Sequence, residues 1–296
     1  MKKILITGAR SYVGTALDNY IRTHFPSDYT VNTLDLRGSA WRELSFSDYD
    51  SIVHVAGIAH ADCGRVSDEA RAAYRHINTD LAIEVAEKAK ADGAGQIIFM
   101  SSAIVYGDSS RVGCDKLITE KTEPAPKSFY GQSKLDAERG ILPLADADFR
   151  VVILRCPMIY GRDCRGNYPT LSRIARKSPV FPRTLNRRSM LYVDNLSELV
   201  RLLIENRESG IFHPQDGTHY STSALVREIA GLHGRRILLV GGMTPLLRLL
   251  ARLTDKVNKA FGSLAYDPAI SEYKENYRIV SSADALARTE TGDNKR

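Results

Sequence analysis

Tyr130-Gly-Gln-Ser-Lys134 sets a phenol and an ammonium four residues apart, which on a helix is one turn and one face. In that arrangement the lysine's charge lowers the phenol's pKa from its ordinary value of about 10, toward a range where it can exchange a proton with a substrate. Upstream, the run Met100-Ser101-Ser102-Ala103-Ile104-Val105-Tyr106-Gly107 reads as the end of a strand, and its Ser102 hydroxyl can complete a proton-transfer site. A tyrosine and a lysine at this spacing also occur on ordinary solvated helix faces. The elements that carry them must therefore decide between the two readings.

Short apolar runs at Lys2 to Ile6, Thr30 to Leu34, Ser51 to Val55, Gln96 to Met100 and Arg150 to Leu154 read as strands. Helical patterns separate several of them, at Val13 to Ile21 and most clearly at Asp68 to Ala91, where Leu81, Val85 and Ala89 form a stripe before Gly93. Strands of about five residues alternating with helices imply parallel pairing through right-handed crossovers, hence an α/β, doubly wound, mostly parallel sheet. Ligands of such sheets lie beyond the carboxyl ends of the strands, where Ser102 falls.

After Gly161 the pattern changes to basic, proline-containing segments, a strand-helix unit at Met190 to Glu205, and helices at Ser223 to His233 and Thr244 to Ala260. This predicts a nucleotide-binding domain over 1–160 and a smaller substrate lobe over 161–189 and 214–296. Residues 190–213 are expected to return to the first domain, with Leu191-Tyr192-Val193 as a further strand of its sheet. The leucine-rich segment Leu246 to Leu253 reads as a packed amphipathic helix rather than a membrane-surface one. Thr289 to Arg296 reads as a frayed tail.

Between the first strand and the first helix lies Thr7-Gly8-Ala9-Arg10-Ser11-Tyr12-Val13-Gly14. Glycines there permit a tight turn and close approach of the backbone to a pyrophosphate at the helix N-terminus, so Gly8, Ser11, Tyr12, Val13 and Gly14 are candidate dinucleotide contacts. Asp35 follows the second strand, 21 residues after Gly14. Its carboxylate suits the ribose hydroxyls of NAD and repels the extra phosphate of NADP, a preference that Arg37 two residues on can soften. The plainer reading of Asp35 is a turn before Gly38.

Composition narrows the classes. No stretch approaches the roughly 20 apolar residues of a membrane span, and the opening apolar run is too short for a signal-peptide core, so a cytoplasmic protein is expected. Cys63, Cys114, Cys156 and Cys164 show neither paired spacing nor nearby histidines, which predicts reduced thiols, no disulfide framework and no metal. The net charge of +6 is spread without basic runs interleaved by aromatics, so nucleic acid is not expected and an anionic small substrate accounts for it.

Taken together, Thr7-Gly8…Gly14, Asp35, His54-Val55-Ala56-Gly57, Asn78, Ser101 to Gly107, Tyr130…Lys134, Leu154 to Gly161 and Arg188 to Asp194 resemble the extended short-chain dehydrogenase/reductase superfamily, in its NAD-dependent sugar-nucleotide epimerase/dehydratase branch. The resemblance implies that Tyr130 is the acid/base, that Lys134 tunes it and holds the nicotinamide ribose, and that Ser102 binds the reacting sugar oxygen. It adds Ala56, Gly57 and Asn78 to the cofactor contacts, although a buried helix asparagine is otherwise a packing residue. Gly166-Asn167-Tyr168-Pro169 and Asn186-Arg187-Arg188-Ser189 resemble substrate-holding segments, with Asn167 and Arg188 on the diphosphate and uridine. Arg187 reads equally as a surface charge.

Two departures stand out. Ser11 replaces the usual middle glycine of the phosphate turn. Ala103-Ile104 stands where 4,6-dehydratases carry an Asp-Glu pair, so the acid that water elimination needs is missing. The expected activity is NAD-dependent 4-epimerisation of a UDP-hexose or UDP-N-acetylhexosamine. A reductase of a UDP-4-keto-6-deoxy sugar and a non-catalytic nucleotide sensor are the alternatives. A homodimer built on two helices per subunit is also implied, with Asp68 to Ala91 as one of them.

Overall fold

Ile4 and Ile6 face one side of the first strand and Leu5 the other, and all three are buried. A strand apolar on both faces belongs inside a sheet covered by helices twice over. The computed structural model describes residues 1–8, 10–58 and 67–292. Its strands are β1 (Lys2–Thr7), β2 (Tyr29–Leu34), β3 (Ser51–His54), β4 (Gln96–Ser102), β5 (Leu117–Ile118), β6 (Arg150–Cys156), β7 (Met158–Tyr160), β8 (Val180–Pro182), β9 (Met190–Tyr192), β10 (Gly210–Phe212), β11 (Leu238–Val240) and β12 (Ala265–Tyr266). The helices are α1 (Tyr12–His24), α2 (Asp68–Tyr74), α3 (Leu81–Asp92), α4 (Phe129–Ile141), α5 (Tyr168–Lys177), α6 (Val193–Glu205), α7 (Thr222–Leu232), α8 (Thr244–Leu250), α9 (Asp255–Phe261) and α10 (Ser282–Thr291).

The central sheet runs β10-β6-β4-β3-β1-β2 with every pair parallel. One face packs under α1 and α6, where Ile4, Ile6, Val53 and Ile98 meet Leu17, Ile21, Leu199 and Leu203. The other packs under α3 and α4, where Leu5, Ile52, Ile97 and Phe99 meet Val85, Ala89, Ala137 and Ile141. The chain passes from β2 to β3 with one short 3₁₀ turn at Ala40–Glu43, so the described sheet has two strands beyond the switch point where the commonest dinucleotide order has three.

A second core joins α5, α7 and α10 through Tyr168, Leu171, Leu225, Ile229 and Leu286. Three details of the sequence reading change. Leu191 lies in β9, which pairs with β7 in a separate two-stranded sheet, and it is β10 that returns to the edge of the main sheet. Thr244 to Ala260 is two helices, because the Thr254 hydroxyl accepts from the Lys256 amide and starts α9 afresh. The supposed tail is helical through Thr291 in α10, and residues 293–296 lie outside the described chain, as do Ala9 and Cys63.

Candidate active site

Ser128 caps α4, its hydroxyl accepting from the Gly131 amide at 3.1 Å, and so sets Tyr130 in the first turn. Gly131 lets that turn press against the strand end opposite, since a Cβ there would lie 2.9 Å from the Ile104 carbonyl oxygen. Tyr130, Lys134 and Glu138 follow at four-residue intervals down one face. Glu138 is the anchor that sequence reasoning missed. Its carboxylate accepts from the Arg155 guanidinium at 2.6 Å and from the Ser101 hydroxyl, tying α4 to both β6 and β4. Arg155 in turn donates to the Tyr106 hydroxyl at 2.6 Å, and Tyr106 reaches His213 Nε2 at 2.7 Å. The continuing four-residue spacing beyond Lys134 was the available signal.

The three expected catalytic side chains converge at the end of β4. Burial pushes the Tyr130 phenol up to about 12, and the Ser102 hydroxyl, near enough to act on it by hydrogen bonding, pulls the other way. Lys134 Nζ donates to the Met100 carbonyl at 2.8 Å and lies 4.5 Å from the centre of the Phe99 ring. Burial brings this ammonium down to about 8, with Glu138 opposing. Among the protein's own groups, then, desolvation sets the phenol's direction, and the expected lowering by Lys134 is not among the influences on it.

Asn78 is fully buried in a π-helical segment, Arg75–Asp80, that joins α2 to α3. Its amide holds the Ile58 backbone from both sides, accepting from the nitrogen at 2.9 Å and donating to the oxygen at 3.0 Å, and it also donates to Ser133 Oγ at 3.1 Å. Next to it, the Thr79 hydroxyl donates to the Ser133 carbonyl at 2.8 Å. The wide turn thus stitches the Gly57-Ile58 loop to the catalytic helix, as such turns often do at functional sites. Gly57 faces this cluster, with a Cβ there 3.4 Å from Lys134 Nζ.

The phosphate turn is a cradle for a dinucleotide. Gly8 has φ +97°, and a Cβ on it would lie 2.8 Å from the Ala56 nitrogen, so β1 and β3 pinch together where the cofactor's backbone contacts would form. Ser11 takes the place of the family glycine to cap α1, accepting from the Gly14 amide at 3.0 Å. Val13 packs against the main core. The Tyr12 side chain turns away toward Gly161 and the second core, leaving only its amide for a phosphate. Asp35 is exposed and clamped by Arg37, which holds the carboxyl down at about 2. Ala56 and Gly57 line the next loop, and the residues fit NAD.

In the second lobe, Arg188 donates to the Lys259 carbonyl at 2.6 Å, and burial alone brings it down to about 10. No carboxylate balances it among the described residues. A desolvated guanidinium of this kind is suited to an anion. Arg187 instead pairs with exposed Asp115 and fastens the loop before β5 to the lobe. Asn167 is exposed at the start of α5, and no described contact joins it to Arg188 or Tyr130. A cavity of about 750 Å³ opens farther along α4, lined by Glu123, Glu138, Arg155 and His213, but it holds none of the catalytic trio.

Fold and phosphate turn together define a dinucleotide-binding protein of the doubly wound class. The model of the NAD dependent epimerase/dehydratase family matches residues 4–214, and the chain belongs to that family. It is an NAD-dependent epimerase. The chain is 32% identical over 253 residues to UDP-glucose 4-epimerase of Vibrio cholerae, covering 77% of this chain and 75% of the relative. It is 27% identical over 246 residues to N-acetyl-alpha-D-glucosaminyl-diphospho-ditrans,octacis-undecaprenol 4-epimerase of Escherichia coli O157:H7, covering 76% and 71%. UDP-glucuronic acid 4-epimerase of Bacillus cereus in complex with NAD shares the fold, with a TM-score of 0.73, 18% identity and 98% of each chain covered.

Proposed function

We propose that the protein inverts the C4 hydroxyl of a UDP-hexose or UDP-N-acetylhexosamine. The observation that carries this reading is Ser102 meeting the Tyr130 phenol at the end of β4, with the Lys134 ammonium sunk beside them. NAD held at the Gly8 turn would supply a hydride acceptor and donor for C4, the chemistry by which a 4-keto sugar is made and re-reduced on its other face, and a positive ring charge that favours a nearby phenolate. Tyr130 takes the proton from the 4-hydroxyl and later returns it, acting as base and then as acid. Ser102 holds the reacting oxygen. Lys134, fixed through Met100, anchors the cofactor's ribose and supplies positive charge beneath the phenol.

Arg188, assisted by Asn167, binds the diphosphate, and its desolvation strengthens that attraction. Ala103 and Ile104 leave no acid beside Ser102 to expel a C6 hydroxyl, which disfavours a dehydratase. The reading also takes Asp68 to Ala91 as part of a homodimer interface and the cytoplasm as the site of action. Among the described residues no helix is long and apolar enough to cross a membrane. A one-way reductase of a 4-keto sugar uses the same residues but must exchange its cofactor at each turnover. Incubation of the purified protein with UDP-glucose, UDP-galactose and their N-acetyl forms is expected to give the C4 epimer without added nicotinamide. A requirement for stoichiometric reduced cofactor would overturn the epimerase reading.

A further inference from the structure

Helix α8 turns its leucines outward. Leu246, Leu249 and Leu250 fall within an arc of about 100° on a helical wheel, and all three are exposed, Leu249 to 56%. Leu253, in the turn that follows, is 80% exposed, and its amide bonds the Leu250 carbonyl at 3.0 Å. The helix is held from elsewhere on its surface: Leu247 is buried, and Arg248 Nε donates to the Val112 carbonyl at 3.0 Å. The expectation that this leucine run packs into a core is therefore corrected. Only Leu247 does so.

The strand leading into α8 continues the pattern. Exposed Leu238 of β11 pairs in register with exposed Val180 of β8. From residue 235 to residue 256 the chain carries Arg235, Arg236, Arg248, Arg252 and Lys256 against one acid, Asp255. A leucine face with cations close by in the chain, Arg252 and Lys256 after it and Arg235 and Arg236 ahead of β11, is the pattern of a helix lying in the plane of a bilayer interface, its apolar side among the acyl chains and its charges at the headgroups. A second copy of this chain fits the face poorly, since an isologous contact would set the same cations against one another.

We propose that α8, with Leu253, docks this protein on an anionic lipid surface. Helix α9, which follows α8 in the chain, supplies the Lys259 carbonyl that holds Arg188. The inference stands apart from the choice of substrate, and its test does not read epimerisation as the outcome.

The test is co-sedimentation of the full chain with vesicles of phosphatidylethanolamine and phosphatidylglycerol, and with phosphatidylcholine vesicles, at low and high salt. Wild type is expected to partition onto the anionic vesicles, less at high salt and less onto phosphatidylcholine. The combined variant Leu246→Ser, Leu249→Ser, Leu250→Ser, Leu253→Ser should lose roughly 10-fold or more of that partitioning, with thermal midpoint and turnover of soluble substrate unchanged. Arg252→Glu with Lys256→Glu should weaken binding to anionic vesicles selectively. Wild type remaining in the supernatant, or the leucine variant binding as wild type does, would overturn the proposal. So would sedimentation velocity without lipid showing that the leucines hold two copies together.

Discussion

Lys134 is buried with its ammonium brought down to about 8 from an ordinary 10.5. Below about pH 8 both the folded and the unfolded chain carry the proton, and the folded chain bears the whole desolvation penalty. Between about 8 and 10.5 the folded chain binds fewer protons than the unfolded one, so this residue makes stability rise with pH. Lys134→Met is expected to flatten that rise and to add about 1–2 kcal/mol at neutral pH, as read from denaturant midpoints across the range. For Tyr130→Phe we expect turnover to fall by roughly 10²-fold or more with bound NAD retained; unchanged turnover would remove Tyr130 from the role of proton donor. The trio was legible because residue type, spacing and strand end all agreed. The lysine's carbonyl partner was not, since Met100 lies 34 residues away in sequence. Nor was the direction of the phenol's shift, because burial cannot be read from spacing alone.

At the scale of elements, the catalytic helix is tied to the sheet by a buried ion pair between Glu138 and Arg155. Arg155→Met leaves the Glu138 carboxylate buried without its cation and is expected to cost about 3–5 kcal/mol, measured by urea unfolding. The double variant Arg155→Met with Glu138→Leu should recover much of that loss, because no charge then remains to be solvated. Five strands of the main sheet were readable from short apolar runs between turn residues. The sixth, β10, carries only three residues and no alternation, so nothing local distinguishes it. Leu191 misled for the converse reason, as an apolar triplet says strand without saying which sheet. The π-helical turn at Asn78 was invisible too, since one surplus residue leaves the surrounding apolar stripe intact. Ser11 was read only as a replacement for the usual middle glycine of the phosphate turn, and the structure gives it a task as the cap of α1.

Across the whole molecule the division of work follows the packing: the core on the two faces of the main sheet holds the nucleotide turn and the catalytic helix, and the second core holds the lobe that carries Arg188. The alternating strands and helices revealed the first core, whereas the second is assembled from short elements distant in sequence and gave little local signal. The shortened order of the main sheet has one more effect. With no strand described beyond β2, its outer rim is open to pairing with a foreign chain. Arg22, reaching across from α1, donates to the Val31 carbonyl on that strand and is itself steadied by Asp18 at 2.6 Å. A charged side chain over a bare strand hinders a neighbour from adding its own. Arg22→Ser is thus expected to change fold stability little while promoting concentration-dependent association, visible in light scattering, so that this arginine serves as a sentry for solubility.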